Sequence, residues 1–181
     1  MINSIKVVLF LSLILLSQNL FSQTNAVISS NDFGNLNFDD KINISQLESE
    51  IDYKSKINQL FGPAEEEKCS SDMFGESCSL IYQGFTLKFA FDDQLFNLSL
   101  NGSQRFFRYG PYQLKSGMNI SELEIIFPEA YNNRYVLNYG SESKHVIALH
   151  VGNSDSDTIL SFIFDPISNL VTQIDINYQL T

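Results

Sequence analysis

Two cysteines, two histidines and four short acidic clusters carry most of the reactive chemistry in this chain. Cys69 and Cys78 bracket Ser-Ser-Asp-Met-Phe-Gly-Glu-Ser, a spacing that suits a disulfide closing a short loop around a glycine. It is not the Cys-x-x-Cys spacing of redox motifs, and no histidine or third cysteine stands near to complete a metal set. A nucleophilic triad needs a base beside its nucleophile, usually histidine. His145 and His150 lie an odd number of residues apart on one expected strand, so they point to opposite faces and share neither a metal nor a proton relay. The acidic groups are Asp39-Asp40, Glu65-Glu66-Glu67, Asp92-Asp93 and Asp155-Ser-Asp157. A calcium loop needs further oxygen ligands and a closing bidentate carboxylate. Asp155 and Asp157 instead run into an apolar stretch and read as solvated turn residues, with Ca²⁺ binding as an alternative. A small secreted hydrolase using paired carboxylates is the other alternative, since folding sets which carboxylates meet. No phosphate-cradling glycine loop follows a strand, and no cofactor motif is present.

The destination of the chain bears on the cysteines. Residues 1–22 have the make-up of a signal peptide: Lys6, an apolar run from Val7 to Leu16, and a more polar exit ending at Ser22. That run is too short to span a bilayer, which takes roughly 20 residues. The expectation is cleavage after Ser22, no membrane insertion afterwards, and delivery to the periplasm or the extracellular medium. No lipid anchor is expected at this site, because no cysteine precedes Cys69. An oxidising destination favours a structural disulfide. With 11 Lys+Arg against 21 Asp+Glu, a net charge of −10, the chain is a poor match for nucleic acid or an anionic membrane surface.

The elements that position these groups begin with a helix signal at residues 119–127. Asn119 is a good N-cap, and Glu122 completes a capping box three residues later. Leu123, Ile126 and Phe127 fall on one helical face, and Pro128 ends the run. An upstream copy runs from Asp52 to Pro63, with Asp52 as cap and Gly62 as the C-terminal stop. Ile57, Leu60 and Phe61 then sit under Leu123, Ile126 and Phe127 at a constant offset of 66 residues. Each helix is followed by short apolar strands, a repeated order of elements. Before the first helix, residues 23–41 are rich in Asn, Ser and Asp and read as a weakly ordered arm.

Phe85, Leu87, Phe89 and Phe91 alternate with smaller or polar residues, and Phe96, Leu98 and Leu100 resume that alternation after the expected turn Asp92-Asp93. Phe106 to Tyr112 forms an aromatic link to a second series of strands at residues 134–139, 145–151, 158–164 and 170–178. Short turns between strands imply antiparallel meanders, so the fold class is α+β. The reading is two tandem helix-plus-antiparallel-meander units, residues 42–109 and 110–181, sharing one extended sheet with helices on one face. The face away from the helices is then partly apolar in the second unit, with Val146, Ala148, His150, Ile159, Ile163 and Val171, and polar in the first, with Thr86, Lys88, Asn97 and Ser99. Such a face marks a partner surface, or reflects only the preference of Val and Ile for strands.

The start Gly117-Met118-Asn119, the helix positions Leu123 and Phe127, and Gly62-Pro63 in the first copy give the chain a resemblance to a known group. It resembles the tandem αβ unit of the β-lactamase inhibitor protein and the small lipoprotein subunit of the outer-membrane β-barrel assembly machine. The inhibitor is also similar in carrying a disulfide loop between first helix and first strand, where Cys69 and Cys78 stand. Its key acidic and aromatic turn residues have no match at Gln83-Gly84-Phe85 or at Gly140-Ser-Glu-Ser-Lys144. The resemblance implies a protein-binding platform rather than an inhibitor of that enzyme. The functional expectation is therefore an exported, non-catalytic module that binds a protein partner through the open sheet face around Lys88, His150, Ile159 and Ile163. A disulfide between Cys69 and Cys78 makes the intact protein two hydrogens lighter than its reduced form by mass spectrometry. Its removal by Cys69→Ala with Cys78→Ala is expected to lower unfolding free energy by on the order of 2–3 kcal/mol, read from denaturant midpoints.

Overall fold

The computed structural model describes residues 25–48, 53–72, 75–90, 94–139 and 142–178. The expected signal segment 1–22, the expected cap Asp52 and the expected turn Asp92-Asp93 lie outside the described residues. The described chain opens with β1 (Val27–Ile28), α1 (Ser30–Gly34), β2 (Asn37–Phe38), β3 (Ile42–Asn43), α2 (Ile44–Glu48) and α3 (Tyr53–Phe61). Four strands follow, β4 (Glu66–Asp72), β5 (Gly75–Tyr82), β6 (Phe85–Ala90) and β7 (Leu95–Leu100), then the short pair β8 (Phe107–Tyr109) and β9 (Tyr112–Leu114). Two helices, α4 (Ile120–Ile126) and α5 (Pro128–Asn132), precede β10 (Tyr135–Tyr139), β11 (Glu142–Val151), β12 (Ile159–Asp165) and β13 (Leu170–Asn177).

The fold is α+β, with one large mixed sheet and one small sheet. The large sheet has the order β1-β11-β12-β13-β7-β6-β5-β4, with β10 pairing along the outer edge of β11. Its pairings are antiparallel except for β1, which runs parallel to β11. The small sheet has the order β3-β2-β8-β9.

The α4 signal folds as its residues dictate. Asn119 Oδ1 accepts from the Ser121 N–H at 2.9 Å, and the Asn119 N–H donates to Glu122 Oε1 at 3.1 Å. Pro128 stops α4 but opens α5, because a proline at the first helical position lacks only an N–H that the helix leaves unused there. In α3, Ile57 takes the same buried role as Leu123 in α4, and Gly62 closes the helix at φ +84° with its N–H donating to the Asn58 carbonyl. Leu87, Leu98, Leu100, Leu160, Phe162, Ile174 and Ile176 supply the sheet's half of the core, and Ile57, Leu123 and Ala130 join the same cluster from the helices.

Several expectations change. Residues 25–41, read as a weakly ordered arm, are folded: Ala26, Ile28, Phe33, Leu36 and Phe38 are buried. Phe38 alone contacts the rings of Phe61, Phe85 and Phe107, so thinly spread apolar residues suffice when each reaches a different element. The aromatic link after β7 is β8 and β9, paired with this arm. The expected disulfide between Cys69 and Cys78 is present, and the two residues stand directly opposite across the antiparallel pair β4–β5. Val171, expected on the open face, is in the core, because an irregularity between Ile163 and Phe164 shifts the register and sets Phe164 against Val171.

The turn between β5 and β6 is held against the residues that follow β7. Gly84 turns β5 into β6 at φ +85°, and its carbonyl accepts from the N–H groups of Asn101 and Gly102. A Cβ on Gly102 would stand 2.7 Å from the Cα of Gly84, a backbone clash that no side-chain rotation relieves. Gly102→Ala is expected to cost about 1–3 kcal/mol by urea denaturation, the range for overpacking, while Ser103→Ala leaves the midpoint near that of the parent.

Asp39 and Asp40 are consecutive non-glycine residues in the left-handed region, at φ 52° and 56°. They are held there by arginines. Arg105 Nη1 donates to Asp39 Oδ2 at 2.7 Å, the Phe106 N–H donates to Asp39 Oδ1, and Arg108 grips Asp40 with two hydrogen bonds. The Arg108 guanidinium holds the Asp40 carboxyl below the usual aspartate value. A carboxylate with a depressed folded-state pKa adds stability above its unfolded pKa and loses it as pH falls through the folded value. Asp40→Asn is thus expected to be less stable than the parent at neutral pH, with the gap closing below the aspartate range in a pH series of denaturant midpoints.

Candidate functional site

The strand alternation that builds the core leaves the opposite sheet face to solvent, and that face is a trough of ≈ 730 Å³. Cross-strand register arranges its side chains in rows. One row runs Ala148, Ser161, Asp175, Ser99 and Thr86 across β11, β12, β13, β7 and β6. The next runs His150, Ile159, Asn177, Asn97 and Lys88 over the same five strands. On the other side of the first row, Val146 stands opposite Ile163 and Ile163 opposite Gln173. Tyr135 and Leu137 of β10 and Lys144 of β11 raise one wall, and Phe96 and Asn101 line the trough on the β7 side.

The floor is polar and buried. Asn97, Ser99, Ser161 and Asp175 are the buried polar residues among those described, at 7–9% exposure, and all four lie on this face. The side chains bond within the floor. Gln173 Nε2 donates to both Asp175 oxygens at 2.8 and 2.9 Å, and Asn97 Nδ2 donates to Asn177 Oδ1 at 3.0 Å. Apolar groups stand to one side: Ile159 and Ile163 are half-buried, and Val146 is buried but lies outside the main core cluster. The trough thus offers a polar centre beside an aliphatic strip.

Of the expected site residues, Lys88, Ile159 and Ile163 line the trough and His150 does not. His150 is on the same face by register, but its Nδ1 donates to the Ser156 carbonyl at 2.7 Å, which turns the ring to the loop before β12. His145 is on the core face, its ring 5.5 Å from Phe164, as the odd spacing of the two histidines requires. The residues that sequence reasoning missed are Ser161, Gln173, Asp175 and Asn177. The alternation that put Ile174 and Ile176 in the core placed Gln173, Asp175 and Asn177 on the other face, so their signal was present.

Asp175 is the only carboxylate lining the trough among the described residues, so a two-carboxylate hydrolytic arrangement has no second member there. The group of metal-ligating side chains found among the described residues is Glu67 with Cys69 and Cys78, and both sulfurs are committed to the disulfide. In the loop of Asp155 and Asp157, the Asp155 N–H donates to Asn153 Oδ1, the local bond of a turn. No described helix is long and apolar enough to cross a membrane.

No family model matches the chain, and no curated protein matches it. Two solved structures do. One is an extracellular protein containing an SCP domain from Bacillus anthracis str. Ames, 11% identical, with a TM-score of 0.43, covering 69% of this chain and 42% of that one. The other is a cysteine-rich secretory protein from Staphylococcus aureus subsp. aureus Mu50, 10% identical, with a TM-score of 0.42, covering 69% of this chain and 43% of that one. The chain therefore spans less than half the length of either. The resemblance to the β-lactamase inhibitor protein and to the lipoprotein of the assembly machine is corrected: no family model or curated protein supports it, and the solved structures matched are of other proteins. The residues behind it have local explanations: Gly117 takes φ +88°, Asn119 caps α4, and Met118, Leu123 and Phe127 fill the core. Any short capped helix laid on a sheet asks for such residues.

Proposed function

We infer that this is an exported, non-catalytic binding protein that docks a protein partner in the trough. The observation that carries the reading is the concentration of the buried polar side chains on the one open sheet face, beside the aliphatic strip of Ile159 and Ile163. A buried charge with only neutral hydrogen-bond partners is costly, and an open face that sets polar side chains beside an aliphatic strip suits a partner surface. Export is supported by the composition of residues 1–22 and by the disulfide, a bond that persists in oxidising compartments. A tandem origin for the platform is supported by the strand order, in which β13 and β7 join one antiparallel run, β10 to β13, to another, β4 to β7.

The reading is tested by capture from cell envelope and medium with the tagged chain, followed by binding of the purified partner. Ile159→Asp with Ile163→Asp, checked for folding by circular dichroism, is expected to weaken that binding at least about tenfold, as loss of an interface centre does. Equal affinity for the parent and the folded double variant removes the trough as the docking site.

A further inference from the structure

The trough floor carries a charge that no group in the described chain balances. Asp175 is buried at 9% exposure, and its two oxygens accept from one neutral donor, the Gln173 amide. Among the described residues no lysine or arginine comes within salt-bridge distance of it. The trough's two cations stand on strands two removed from β13, Lys88 on β6 and Lys144 on β11. Strand spacing of about 4.8 Å puts those backbones on the order of 10 Å from that of Asp175. A buried carboxylate with only a neutral partner is unfavourable, and a cation completing the pair offsets that cost.

Resting on the reading that the trough docks a protein partner, we propose that the partner enters it with an arginine side chain whose guanidinium pairs with Asp175. The planar fork suits this floor. It meets a carboxylate with two hydrogen bonds, and Ser99, opposite Asp175 in register, adds a hydroxyl for which the described residues offer no hydrogen-bond partner. Ile159 and Ile163 give the aliphatic stem an apolar bed beside the charge. The whole-chain charge of −10 attracts a basic partner at long range. The rim lysines carry the opposite sign, so the preferred partner surface has one arginine flanked by neutral or acidic groups.

The probe is N-acetyl-arginine N-methylamide, titrated into the ¹⁵N-labelled chain while backbone amide shifts are followed. The neutral isostere, N-acetyl-citrulline N-methylamide, is the control. The arginine compound is expected to shift amides of β7, β12 and β13 saturably. The citrulline compound should bind about tenfold more weakly, in keeping with the greater strength of charge-assisted hydrogen bonds. Asp175→Asn should bring the arginine affinity down to that of citrulline, and partner affinity should fall with it. Equal affinity for the two compounds in the parent overturns the proposal, and that comparison stands even where the variant does not fold. Arginine binding unchanged in a folded Asp175→Asn variant overturns it as well. If these tests fail while Ile159→Asp with Ile163→Asp still abolishes partner capture, the guanidinium is wrong and the docking face stands.

Discussion

The pairing of β13 with β7 is the constraint on which the rest of the structure depends. It joins the last described strand to one from the middle of the chain, with Ile174 opposite Leu100, Asp175 opposite Ser99 and Ile176 opposite Leu98. Side chains on a strand alternate strictly, so a slip of one residue turns every one of them to the other face. Such a slip would bring Gln173, Asp175 and Asn177 under the helices and push Ile174 and Ile176 into the trough. Burying Ile174 and Ile176 contributes roughly 1.5–3 kcal/mol each, and a slip would take the Asp175 carboxylate from the floor of an open trough into the apolar core at a further cost. The register is thus set by two large terms of the same sign. The bond from Asn97 to Asn177 repeats the register on the open face.

The small sheet depends on a different interaction. Lys41 and Arg105 both lie over the Phe61 ring, and Arg105 also lies over Phe85 while paired to the nearly buried Asp39. Cations that pack on aromatic faces bring apolar stem and charge together to the rim of a core. Here that rim joins the arm, α3 and β6. The left-handed turn at Asp39-Asp40 is unfavourable in isolation and persists because the arginines of the β8 region occupy both carboxylates.

What the sequence disclosed followed the range of the interactions concerned. The α4 cap is made within three residues of Asn119, so its start was readable. The alternations in β6, β7 and β11 to β13 were readable because one sealed face demands them. β4 was not: Glu-Glu-Lys-Cys-Ser-Ser-Asp has no apolar alternation, since it is an edge strand, exposed over residues 66–71 and tied to β5 by the disulfide. The arm was missed for another reason. Phe33 packs on Tyr178, and Phe38 on Phe61, Phe85 and Phe107, all in distant parts of the chain, and no local pattern records that. In the trough, Lys88, Ile159 and Ile163 were read correctly as facing away from the helices, whereas Val171 was lost to a register irregularity visible only in the pairing. Asp175 was overlooked because its importance lies in which strands flank it.

The polar floor has two physical explanations, and they make different demands on its residues. Register specification needs only that the open face be polar enough to make a slip unfavourable. Thr86, Lys88, Gln173 and Asn177, more open to solvent than the four floor residues, already do that at less cost. It does not call for a carboxylate at the centre of the sheet, where a buried charge weakens the fold unless something pairs with it. An asparagine or a serine at position 175 would protect the register equally well. Among the described residues the two rim lysines stand on strands two removed from that of Asp175 and make no ion pair with it, so the described chain does not relieve that charge with its own cations. A cation brought by a partner would account for a carboxylate that the demands of folding do not call for, and this is what sets the proposed binding face apart from a sheet face that merely happens to be exposed.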